Sequence, residues 1–264
     1  FAYLHNAEDQ IRGEAATLQF FSNGQYSNPM VLRIAGLAYQ KGFGGHFHND
    51  NSVNIFRDIP GLIVAVPSNG RDAVTMLRTC AKLAYEEGRV CIFIEPIALY
   101  MTKDLHNMGD KEWSFNYPPL KEHCPLGEVG VSGEGKDLLV ITYGNGYFYS
   151  LKAAKLLEEN HRVKSTVMDL RWLAPLNKNS ILEYANQFKD VLIVDECRKT
   201  GSVNEQICAI LLENLNTPPN IKVLAADDCF IPLGVAAAAG LPKTEEILKA
   251  AGDLLGIKIK GATL

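Results

Sequence analysis

An α/β architecture of two domains with mostly parallel sheets is what this sequence predicts, and three observations carry it. Short apolar runs of strand length alternate along the chain with segments of helical periodicity. The strand-like runs, such as L-I-V-A-V-P from Leu62 and D-L-L-V-I-T from Asp137, are apolar almost throughout, as strands covered on both faces are. The alternation then lapses over residues 101–125, where Pro118-Pro119, Asn, Gly and Lys gather, and restarts beyond it. The chain of 264 residues therefore reads as domains 1–125, linker included, and 126–264.

In the first half, residues 7–22 carry Ile11, Ala15, Leu18 and Phe21 or Ser22 at spacings of three and four, so a helix is expected there, stopped by Asn23-Gly24. Met30 to Ala35 is a short buried strand followed by a Gly-rich loop, 36–45. A second helix is expected over 51–58, ending before Pro60-Gly61. Strand 62–67, amphipathic helix 70–85 and strand 90–95 complete this half. In the second half, strand 137–142 leads through Y-G-N-G-Y into a helix reaching Asn160. Strand 165–169, helix 178–188, strand 191–194, helix 203–215 and strand 222–225 follow. A last helix spans 244–255, with Thr244 as its cap and Glu245 and Glu246 in its first turn.

Composition removes several function classes. Lys and Arg number 26 against 30 Asp and Glu, a formal charge of −4, so the clustered cations of a nucleic-acid binder are not in view. Apolar residues at 47% and charged residues at 21% exclude disorder and collagen-like repeats. No window reaches the ~18 continuous apolar residues of a membrane span. The six cysteines, at 80, 91, 124, 197, 208 and 229, include no pair at metal-ribbon or thioredoxin spacing, and several lie in apolar runs. They are expected as reduced core residues. The chain opens on Phe1 and not on Met, so the domain is expected to begin upstream and any targeting segment is unreadable.

Three places offer chemistry. G-F-G-G-H-F-H-N-D, Gly42 to Asp50, lies between a strand and a helix, where ligands of parallel sheets sit. In an extended segment His46, His48 and Asp50 would share one face. Three readings stand: a metal site, a pocket in which imidazoles move protons, or structurally satisfied loop histidines. L-V-I-T-Y-G-N-G-Y, Leu139 to Tyr147, with Asp169 25 residues after Gly144, partly matches a dinucleotide fingerprint. Tyr149 replaces its third glycine, so a tight strand-to-helix turn is the better reading. Phe1 and Tyr3 read as core, or as an aromatic stacked on a planar heterocycle. Asp195, Glu196, Asp227 and Asp228 at strand ends read as helix caps, with function as the alternative.

Taken in order, longer motifs point to a family. They are F-A-Y-L-H-N-A-E-D-Q-I-R-G-E-A-A from Phe1, G-G-H-F-H-N-D, D-I-P-G-L-I-V-A-V-P-S-N-G-R-D-A from Asp58, and C-I-F-I-E-P from Cys91. G-E-G-K-D-L-L-V-I-T-Y-G, V-M-D-L-R-W-L-A-P-L, I-V-D-E-C-R-K-T-G and A-A-D-D-C-F-I-P-L continue them. The chain resembles, over essentially its whole length, the β subunit of the thiamine diphosphate-dependent 2-oxo acid dehydrogenases of the pyruvate and branched-chain type. The resemblance implies part of a pyrimidine-binding domain followed by a transketolase C-terminal-type domain. It implies oxidative decarboxylation of a 2-oxo acid with acyl transfer to lipoamide. Thiamine diphosphate would lie between two domains, its diphosphate and magnesium held mainly by the partner. The implied partners are an α subunit or diphosphate-binding domain, a lipoyl acyltransferase core, and a second copy of the chain. The setting would be a bacterial cytoplasm or a mitochondrial matrix.

Carried over residue by residue, Tyr3 falls where the family has the aromatic that stacks on the aminopyrimidine. His48 falls where it has the active-site histidine of its H-S-Q segment, which here reads H-N-D. His46 has no family counterpart. The Glu that activates the pyrimidine is expected upstream of Phe1, and Glu8 and Glu14 do not take its place. The chain by itself is accordingly expected to be inactive without its partner domain. The runners-up are a transketolase or deoxyxylulose-phosphate synthase relative, and a subunit that only organises an assembly.

Overall fold

In the computed structural model, residue 1, residues 3–39 and residues 45–259 are described. The strands, in chain order, are β1 (Met30–Gly36), β2 (Ile63–Ala65), β3 (Val90–Pro96), β4 (Gly130–Ser132) and β5 (Leu138–Thr142). They continue with β6 (Ser165–Asp169), β7 (Trp172–Ala174), β8 (Asp190–Arg198) and β9 (Asn220–Ala226). Because β2 and β5 are buried at every position, each sheet must be covered on both sides.

The first sheet has the order β1-β3-β2-β7 and the second β4-β6-β5-β8-β9. Within them β1, β3 and β2 are parallel, as are β6, β5, β8 and β9. Helix Gly70–Glu87 crosses from β2 to β3 and buries Met76, Cys80 and Ala84; the side chain of Asn69 caps it by accepting from the Asp72 N–H. Helices Gly144–His161 and Thr244–Leu255 cover one face of the second sheet, where Leu138, Val140, Leu192 and Val194 meet Phe148, Leu157, Ile247 and Ala251. The opposite face, Leu139, Ile141 and Ile193, shares one core with Ile34, Val64 and Ile92 of the first sheet.

Most expected elements appear within a few residues, and the departures have local causes. The first helical run begins at Leu4 and reaches Phe21, widening over Ile11–Ala15, where the Thr17 hydroxyl donates to the Gly13 carbonyl at 2.7 Å. The helix expected over 51–58 is a single turn, Asn54–Arg57, since Asn51 is drawn into tertiary bonds with Glu196 and Arg198. The cap of the last helix is Lys243, whose N–H donates to Glu246 Oε2, and Thr244 is the first helical residue. Strands β4 and β7 were not expected: three residues are too few for a pattern. β7 crosses to the first sheet and pairs antiparallel with β2, so both halves of the chain contribute to that sheet. The aperiodic stretch 101–125 is tied down: Asp110 accepts the N–H groups of Leu105, His106, Asn107 and Glu112, and Trp113 is buried. All six cysteines are free thiols; Cys229 is exposed.

Candidate functional site

Strand β1 ends at Gly36, and the ring of Phe1 lies directly over it; a Cβ there would stand 2.6 Å from Phe1 Cδ2. Phe1 is buried and stacks on Phe56 at 6.3 Å. Two residues on, Tyr3 has a left-handed backbone, φ 65°, and a side chain 71% exposed, so it is not core. Its ring faces Phe47 at 6.4 Å.

The histidine motif does not run extended. Gly45–His48 forms one helical turn, so His46, His48 and Asp50 do not line one face as strand geometry would require. The head of the motif, residues 42–44, lies outside the described residues. His46 packs its ring against Phe47 at 5.0 Å and against Phe230, from the second half, at 5.6 Å. His48 is half-buried and Asn49 fully buried beside it. Among the described residues no group of three or more His, Cys, Asp or Glu side chains is placed to hold a metal ion.

Asp50 is bonded to His5 and Arg198 from distant segments and to its neighbours Asn51 and Ser52. Its Oδ2 meets His5 Nε2 at 3.1 Å and accepts the Ser52 hydroxyl at 2.5 Å. Its Oδ1 accepts Arg198 Nη1 at 3.1 Å and the Asn51 N–H at 2.8 Å. Burial works against the charge, but the Ser52 hydroxyl, the Arg198 guanidinium and His5 outweigh it and hold the Asp50 carboxyl below its usual range. A wall thus forms from four segments: Tyr3 and His5; His46 to Ser52; Arg198; and Phe230. His5 was not singled out by sequence, since 45 positions separate it from its partner and no local pattern links them.

The glycine turn tells a different story. Gly144 opens helix Gly144–His161 at φ 56°, its N–H donates to Ser68 Oγ at 2.8 Å, and a Cβ would collide with Glu196 Oε1. Glu196 accepts the Asn145 N–H at 2.8 Å and Asn145 Nδ2 at 2.7 Å. The helix N-terminus where a pyrophosphate would sit is filled by the chain's own carboxyl group. Burial, with the neighbouring Asp195, pushes Glu196 up to about 8. Burial and the nearby Asp72 push Asp169 up to about 7. Asp195 accepts Tyr143 Oη at 2.6 Å and caps helix Val203–Asn214 through the Asn204 N–H at 3.1 Å. Asp228 accepts from the Thr200 N–H at 3.0 Å and its hydroxyl at 2.6 Å.

Residues 127–239 match the family model described as transketolase, C-terminal domain. The 2-oxoisovalerate dehydrogenase subunit beta of Bacillus subtilis is 33% identical over 231 residues, covering 86% of this chain and 64% of the relative. The pyruvate dehydrogenase E1 component subunit beta of the same organism is 26% identical over 262 residues, covering 97% and 74%. The chain is thus similar, over most of its length, to 2-oxo acid dehydrogenase β subunits. A mitochondrial member from Dictyostelium discoideum, 2-oxoisovalerate dehydrogenase subunit beta, is 30% identical over 235 residues, covering 88% of this chain and 59% of the relative. The chain therefore spans less than two thirds of the length of the first and last of these relatives. A solved split-gene transketolase, titled an inactive beta4 tetramer, superposes with a TM-score of 0.62 at 19% identity, covering 87% of this chain and 67% of its own, so the fold is shared. The motif-based resemblance is thereby confirmed. No helix among the described residues is long and apolar enough to cross a membrane.

Proposed function

We propose that this chain is the β-type part of a thiamine diphosphate-dependent 2-oxo acid dehydrogenase, decarboxylating a 2-oxo acid and passing the acyl group to lipoamide. The observation that carries the reading is the wall beyond the end of β1: exposed Tyr3 and Phe47 beside the imidazoles of His46 and His48. Exposed aromatic rings, the exposed imidazole of His46 and the half-buried one of His48 fit the ring end of such a cofactor. Nothing at the glycine turn offers a diphosphate cradle: the N-terminus of helix Gly144–His161 is filled by Glu196, and the described residues form no metal-holding cluster. An α subunit or fused domain supplying the diphosphate and magnesium cradle is the partner this half-site asks for, with a lipoyl acyltransferase core and a second copy of the chain as further partners.

When bound, thiamine diphosphate supplies the nucleophilic carbon and the electron sink for loss of carbon dioxide. Tyr3 would stack on its aminopyrimidine, and His48 would give or take a proton at the reacting centre. The test is carbon dioxide release from labelled pyruvate and branched-chain 2-oxo acids by the full-length protein, with and without the diphosphate-binding partner. Release that requires the partner supports the reading. Failure of the assembled pair to bind thiamine diphosphate would leave the chain an organising subunit instead.

A further inference from the structure

Position 50 is an aspartate, in H-N-D where the family resembled has H-S-Q, and the fold gives that departure a partner of its own. Asp50 Oδ2 lies 3.1 Å from Nε2 of His5. The carboxylate cannot swing: Arg198, the Asn51 N–H and the Ser52 hydroxyl hold it from three further directions. Arg198 is fixed in turn by Asn51 Oδ1 at 3.1 Å and by the Ser52 hydroxyl. The Asp50 side chain is 14% exposed and that of His5 is 44%, so a sheltered carboxylate presents an imidazole to solvent. A carboxylate only accepts; Nε2 therefore carries the hydrogen, and the neutral ring keeps its lone pair at Nδ1.

A solvent-facing His–Asp pair adds about 0–1 kcal/mol of stability at most, which does not account for four groups converging on one carboxylate. Position accounts for it better. His5 follows Tyr3 by two residues and Asp50 follows His48 by two, so the pair is where the two segments of the wall meet. The charged groups around it, among the described residues, are Asp50 and Arg198, and the Phe1 ring lies 6.2 Å away.

We propose that His5, oriented by Asp50, is a second proton-transfer imidazole of this site, working beside His48, with Asp50 as its positioning residue. The role rests on the 2-oxo acid dehydrogenase reading, whereas the pair itself does not. Nδ1 takes a proton from the reacting group, Asp50 balances the imidazolium charge, and the same proton is returned later in the cycle, so no co-reactant is consumed.

In the full-length protein assembled with its diphosphate-binding partner, His5→Gln should lower kcat about 10²-fold, with KM and melting temperature nearly unchanged. Free imidazole should restore part of the rate to His5→Ala, and a bound 2-oxo acid should slow carbethoxylation of His5 mapped by mass spectrometry. A His5→Gln enzyme with wild-type kcat overturns the proposal. An assembled wild type inactive on every 2-oxo acid refutes the functional reading instead. Carbethoxylation of His5 then judges the pair alone: Asp50→Ala should change its rate several-fold, and equal rates overturn the pairing.

Discussion

Strand β8 runs from a buried seam to an open wall within three residues, and the two ends use polar side chains in opposite ways. At the seam Asp195 and Glu196 are wholly buried, and their carboxyl oxygens are taken up by backbone and amide donors, many at two helix N-termini, and by the Tyr143 hydroxyl. At the wall, Arg198 meets Asp50, which keeps a half-exposed imidazole in place. Donors that converge on a buried group hold elements together and leave it nothing to give a ligand. Partners that shelter one side chain while another faces solvent leave chemistry available.

The contrast predicts separable phenotypes. On the wall, His48→Ala should cost roughly 10²–10⁴ in acyl transfer to lipoamide, the usual worth of a positioned proton-transfer group, while the melting temperature holds. An unchanged rate would remove His48 from the site. On the seam, Gly144→Ala should lose about 2–5 kcal/mol of stability in denaturant titration, from the left-handed backbone and the collision with Glu196 together. A loss under about 1 kcal/mol would mean that the seam yields and the contrast is overdrawn.

A pH series sharpens the same comparison. Glu196 at about 8 and Asp169 at about 7 keep their protons when folded, whereas an unfolded carboxyl releases them near pH 4. The folded state binds the extra protons, so this contribution is full below about pH 4 and is lost as pH rises toward 8. Glu196→Gln should flatten the upper part of that decline in melting curves taken at successive pH values; an unaltered slope would place the titration elsewhere. Asp50, held low, has the opposite sign, its contribution fading as pH falls through its folded value. The smallest expected effect is at Tyr3. Tyr3→Ala should weaken thiamine diphosphate binding to the assembled protein by about 1 kcal/mol, read by calorimetric titration. Equal affinities would make the ring a surface residue.

Strands such as β3 and β5 and helices such as Gly70–Glu87 and Thr244–Leu255 were legible because their hydrophobic period is written within the segment itself. The order of motifs was enough to read the resemblance, which implies one cofactor site for Tyr3 and His48. The sequence could not say that Gly45–His48 would coil and part His46 from His48, because a Gly-flanked stretch of four residues has no period to read. Nor could it show that Glu196, 51 residues after Asn145, fills the turn at Gly144, or that His5 would find Asp50. Those partners are chosen by strand order and by which loops the two sheets bring to the same end. Local pattern determined the elements; long-range topology decided which polar groups were left to act.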